Sequence, residues 1–220
     1  MNNMRHKRSI ASLLFAAFTL IVFAGKALAC ACCSEPGTYS IRTLKPDSFH
    51  FDLLGELKFA PKAKLFMTEA GFEMVRGLDE VQKEDEAVEA SITDGFDLAA
   101  SFAGRRTWRF EFKTPKSLRG SFTLPVPASM VSFAADIHDN EDKGHGPLLY
   151  KEFRFKGNVS SATGFVHAGI TRGTTYFLVF QGRGRGCDEV SDFRNWRLEI
   201  DGPRASYAFF GKLISEIPRP

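Results

Sequence analysis

Thr107-Trp108-Arg109-Phe110-Glu111-Phe112-Lys113 alternates aromatic and charged residues without a break. Successive side chains on a strand point to opposite faces. A period of two therefore buries Trp108, Phe110 and Phe112 on one side and solvates Arg109, Glu111 and Lys113 on the other. Just upstream, Phe96-Asp97-Leu98-Ala99-Ala100-Ser101-Phe102 forms a second arm, and Ala103-Gly104-Arg105-Arg106 is the turn between them. The pair predicts a β-hairpin.

Working outward, the same punctuation recurs. Residues 49–59 partly alternate and stop before Pro61, and Lys64–Thr68 reads as a further strand. Ser121–Leu124 is stopped by Pro125 and Pro127, and Val131–Ile137 and Leu148–Lys156 follow. Thr174–Phe180 is nearly all apolar, which suits a central strand buried on both faces. Asn195–Ile200 closes the series at Asp201-Gly202-Pro203. The acidic stretch Asp79–Glu89 carries no continuous apolar stripe and reads as a charged loop or edge segment. Short strands between turn signals, with no long 3.6-residue period, predict an all-β domain. The expected architecture is an antiparallel β-sandwich, jelly-roll-like, of about nine strands over residues 38–212. Phe supports this, with 22 copies against 2 Trp and 4 Tyr among 220 residues, since Phe favours pleated, half-buried surfaces.

The N-terminus has a different grammar. Arg5, Lys7 and Arg8 precede the apolar run Ile10–Phe23, and Ala27-Leu28-Ala29 places small residues where a signal peptidase reads them. Residues 1–29 thus read as a secretory signal peptide, with residues 30–220 as a single domain. The run is short for a membrane span, so no stable span is expected after cleavage. Lipidation of Cys30 is the alternative, although Ala27 stands where a bulky aliphatic residue is expected. The formal charge of +3 belongs largely to this segment: cleavage after Ala29 leaves 25 basic against 26 acidic residues. A nearly neutral chain gives no bulk electrostatic case for nucleic acid. The expected location is the periplasm or outside the cell.

Cleavage would leave Cys30 first, beside Cys32 and Cys33, with Cys187 far away in Gln181-Gly182-Arg183-Gly184-Arg185-Gly186-Cys187. In an oxidising compartment four thiols predict disulfides. A Cys32–Cys33 ring would be strained, so Cys187 is expected to pair with Cys32 or Cys33. Closing a loop of about 155 residues stabilises by roughly 5 kcal/mol on the chain-entropy model. A soft-metal site for Cu(I) or Zn(II) is the alternative, but C-x-C-C is not the spacing of structural zinc. The glycines before Cys187 would let the backbone turn sharply. Their spacing is not G-x-G-x-x-G, and no βαβ unit can follow, which excludes a dinucleotide loop.

A second candidate site lies in Asp136–His145. Asp136, His138, Asp142 and His145, with Asp139, Asn140 and Glu141, offer carboxylates and imidazoles on one connection. An EF-hand needs Gly where Glu141 stands. The mixture suits Zn(II) or Cu(II), the metals expected here if the loop is more than solvated surface.

Cys30-Ala31-Cys32-Cys33, Pro36-Gly37-Thr38-Tyr39, Asp136-Ile137-His138-Asp139 and Leu149-Tyr150-Lys151-Glu152-Phe153 stand together in this chain. On these segments it resembles uncharacterised bacterial secreted proteins with a C-x-C-C mature N-terminus. It implies export and brings no activity, cofactor or catalytic residue. The chain has no G-x-S-x-G elbow, no H-E-x-x-H helix and no phosphate loop. His167, between small and apolar residues, is expected to be a hydrogen-bonded structural histidine. Dispersed Ser, His and Asp leave a hydrolase open. The expectation is a non-catalytic protein that binds a ligand or a protein partner. Metal binding and glycan binding by aromatics on the sheet are its alternatives.

Overall fold

The computed structural model describes residues 33–66, 76–78, 95–104, 106–138 and 146–214. Eleven strands form: β1 (Tyr39–Leu44), β2 (Lys58–Phe66), β3 (Phe96–Ala103), β4 (Thr107–Lys113), β5 (Arg119–Pro125), β6 (Met130–Asp136), β7 (Leu149–Asn158), β8 (Ser161–Gly164), β9 (Thr175–Gly184), β10 (Phe193–Gly202) and β11 (Ala205–Ile214). One helix, α1 (Ser48–Glu56), and one 3-10 turn, Val190–Asp192, complete the described elements. The antiparallel all-β class is as the alternation predicts. The hydrogen bonds, however, join all eleven strands into a single sheet, in the order β1-β6-β7-β9-β10-β11-β2-β3-β4-β5-β8.

That sheet folds back on itself. β4 and β7 stand six places apart in the order, yet the rings of Trp108 and Phe155 lie 4.9 Å apart. Phe110 meets Trp196 at 5.4 Å, and Phe112 stacks on Phe209 at 4.0 Å. The return is made at Val159 and Ser160. Before them β7 ladders with β9, and after them β8 ladders with β5. At the corner the Val159 amide donates to the Thr174 carbonyl and the Ser160 amide to the Thr123 carbonyl. The Tyr176 hydroxyl crosses to the Pro125 carbonyl.

The inner face is aromatic. Trp108, Phe110, Phe112, Phe122, Phe153, Phe155, Phe180 and Trp196 are at most 1% exposed. β4 alternates as its sequence requires, with Arg109 and Glu111 paired outside at 2.7 Å.

Residues 48–56 are a helix, not the strand their partial alternation suggests. Asp47 caps it by accepting from the His50 amide (3.1 Å). Leu53 and Leu54 turn inward and Leu57 follows them. A local cap and a buried pair outweigh the alternation of Phe49, Phe51 and Leu53. Pro61 does not end a strand either. β2 continues through it, because the ladder to β11 shifts register between Gly211 and Leu213 and needs no amide donor there. The strand expected at Lys64–Thr68 is the end of β2; Met67, Thr68 and the acidic segment 79–89 lie outside the described residues. No helix among the described residues is long and apolar enough to cross a membrane.

Since Phe112 is 1% exposed and stacked on Phe209, Phe112→Ala is expected to cost about 3–5 kcal/mol through lost burial and a residual cavity. Urea denaturation would measure it, and a loss below about 1 kcal/mol would mean the two halves of the sheet are not held by this stack.

Candidate functional site

Three places carry unusual chemistry. The first is the loop leading to Cys187. Gly182 and Gly184 are not a turn but the end of β9. A Cβ at Gly182 would meet the Asp192 carbonyl oxygen at 1.8 Å, and one at Gly184 would meet the Asp192 carboxyl carbon at 2.0 Å. The glycines make room for the 3-10 turn to lie on the strand, which corrects the sharp-turn expectation. Under that turn sits Lys151, with its side chain 4% exposed. Its ammonium donates to the Cys187 carbonyl (2.6 Å), to Asp188 (2.6 Å) and to Asp192 (3.0 Å). All three donors are used, which is the condition for burying an ammonium group at all. Asp192 also accepts from the Glu189 amide at 3.2 Å.

Cys187 is disulfide-bonded. Cys33 is exposed, and Cys30 and Cys32, named in the expected pairing, lie outside the described residues. Lys151 escaped the sequence reading, although its signal was there. It occupies an inward position in the alternation Leu149, Lys151, Phe153, Phe155, where a cation needs a buried partner.

The second place is the predicted metal loop. Asp136 and His138 are described; Asp139, Asn140, Glu141, Asp142 and His145 are not. Asp136 is already committed: one carboxylate oxygen accepts from the Gly37 amide and the other from the His138 amide, both at 2.8 Å. These bonds hold its carboxyl below the usual 3.8 and tie the segment before β1 to the end of β6. His138 has φ +55°, a left-handed conformation stabilised by that Asx bond. Its ring is 3.8 Å from Asp136. Among the described residues no three His, Cys, Asp or Glu side chains gather as a metal site. His167, as expected, holds its own turn, with Nδ1 donating to the Ala162 carbonyl at 2.9 Å.

The third place is the outer face of β1, β6, β7, β9 and β10, which the sequence reading singled out only in outline. Tyr39, Phe133 and Tyr150 lie in a row across three strands, with ring centroids 5.7 and 6.1 Å apart. Tyr39 is 65% exposed and Ile41 beside it 53%. The Arg154 guanidinium covers Phe133 at 4.8 Å. Glu152 accepts from both the Tyr150 hydroxyl and Arg154. Partial burial and the Glu152 charge raise the Tyr150 phenol well above its ordinary range, so it stays a donor. Next to Tyr150 a groove of about 430 Å³ is lined by Gln181, Gly182, Arg183, Arg194 and Asn195. The row was hard to foresee because Tyr39 stands in a strand, β1, that carries little apolar alternation.

Lys151→Met keeps volume but strands two carboxylates, and is expected to cost about 3–5 kcal/mol. Gly182→Ala should also destabilise by forcing the Asp192 turn off β9; both are read by urea denaturation. Asp136, with its lowered value, contributes stability that is full above pH 3.8 and lost as pH falls through its folded value. Protection factors of the Gly37 and His138 amides should therefore drop in that acid window, and Asp136→Ala should abolish them at neutral pH. Against family models, curated proteins and solved structures the chain finds no match.

Proposed function

We propose that this is an exported, non-catalytic binding protein whose ligand is a glycan, taken on the outer face of β1, β6, β7 and β9. The observation that carries it is the row Tyr39–Phe133–Tyr150, with Tyr39 65% exposed at its open end. A sugar ring presents an apolar C–H face and a rim of hydroxyls. Aromatic side chains supply the complement to the first, and the neighbouring amides and guanidinium groups supply the complement to the second. The aromatics stand on strands of a continuous ladder, so their spacing is set before any ligand arrives.

Export is part of the same reading. It is supported by Arg5, Lys7 and Arg8, the apolar run Ile10–Phe23 and Ala27-Leu28-Ala29. Cleavage after Ala29 frees a cysteine-rich N-terminus, and that cluster is tied by a disulfide to the loop whose Cys187 carbonyl Lys151 holds.

Two measurements test the reading. Intact mass of the exported protein should correspond to residues 30–220 with no added lipid; a mass retaining residues 1–29 defeats the cleavage. In affinity electrophoresis through soluble polysaccharides, wild-type protein should be retarded by at least one. Tyr39→Ala should weaken that retardation by about 2- to 12-fold, the range for one aromatic stacking partner. Retardation by none, or an unchanged Tyr39→Ala, rejects the glycan.

A further inference from the structure

We infer that two copies of this chain join edge to edge, β1 against β1, antiparallel about a two-fold axis at Ile41. Among the described residues β1 stands at one end of the sheet order and pairs with β6 alone. The Asp136 amide donates to the Thr38 carbonyl, and the two stand opposite each other one step beyond Tyr39 and Ala135 in the register. Residues that exchange bonds across an antiparallel ladder recur at every second position. Ser40, Arg42 and Leu44 therefore spend their amides and carbonyls on β6, and those of Tyr39, Ile41 and Thr43 point to the other edge. The same three residues are exposed, as is Arg42. Proteins guard such edges with lysine, proline or brevity. β8, at the far end of the order, has only four residues. β1 has six, with neither lysine nor proline among them.

The occupant is a second copy because β1 complements itself in one register. With Ile41 opposite its counterpart, Tyr39 faces Thr43, and the open residues exchange about six hydrogen bonds. The two exposed isoleucines cover each other. Arg42 faces Ser40, and Pro36 faces Pro46 just beyond the paired segment, where a ladder stops. Moving the axis to Arg42 sets two guanidinium groups directly opposite each other, which destabilises the pair. Moving it to Ser40 calls on the Gly37 amide, which is already donated to Asp136. Tyr39 and Ile41 lie on the same face as Phe133. The join thus leaves that face open and places two aromatic rows on one continuous sheet, whatever the face binds. Six residues a side make a small interface, so the dimer forms with concentration.

Sedimentation equilibrium of the exported chain, with its disulfide intact, should show a monomer passing to a dimer as concentration rises toward about 1 mM. Thr43→Pro removes a donor from the open edge and none from the β6 ladder. It should raise the dissociation constant by about tenfold or more, since two bonds of the symmetric pair go with it. The melting temperature of the dilute protein should stay unchanged. Ile41→Lys and Ile41→Glu should each be monomeric alone and dimerise when mixed, a rescue that misfolded variants cannot give. Amide exchange reads the same alternation. Tyr39, Ile41 and Thr43 should become protected only as the dimer forms, and Ser40, Arg42 and Leu44 should be protected at every concentration. A monomer throughout the series overturns the inference. A dimer that survives both Thr43→Pro and Ile41→Lys overturns it too, because its interface lies elsewhere. So does a dimer that mixing Ile41→Lys with Ile41→Glu fails to restore.

Discussion

The packing of Trp108 on Phe155 is the contact on which the architecture depends. A sheet of eleven strands with one aromatic face cannot leave that face in water. Burying it against a second layer would need elements that this chain does not supply among its described residues, apart from α1. The face is buried against itself instead. Val159 and Ser160 make this possible by letting one length of chain ladder first with β9 and then with β5. The ladder stays continuous through the bend, so the fold has the hydrogen bonds of one sheet and the interior of a two-layered protein.

What was legible in the sequence follows from this. The strands that supply the inner face announce themselves, because alternation of large aromatics with charges has no other reading. The hairpin of β3 and β4 sits within a residue or so of its predicted bounds. β1, β8 and β11 were not foreseen. β8 has four residues and is held by its position at the corner, and β1 is an edge with one face exposed. β11 was within reach, since Tyr207 and Phe209 alternate after the Gly202-Pro203 turn. The helix at 48–56 was hidden by a coincidence: its apolar residues satisfy both periods, and the Asp47 cap decides between them.

The site was less legible than the fold for a physical reason. A surface made of side chains from several strands has no spacing in sequence; only the register brings Tyr39, Phe133 and Tyr150 together. Glycines drew attention for the opposite reason. Gly182, Gly184 and Gly186 look like a ligand loop because ligands and backbone make the same demand, the absence of a Cβ. At Gly182 and Gly184 the close neighbour is the protein's own Asp192 turn.

That neighbour has a consequence for how this chain can diverge. Lys151, Asp188, Asp192 and the two glycines form one steric and electrostatic unit, in which every member sets the terms for the others. A cation lost from position 151 is tolerable only if the acids are lost with it, and a side chain gained at 182 or 184 only if the turn moves away. Substitutions here must therefore travel together. In any set of homologous sequences these five positions should covary as a block.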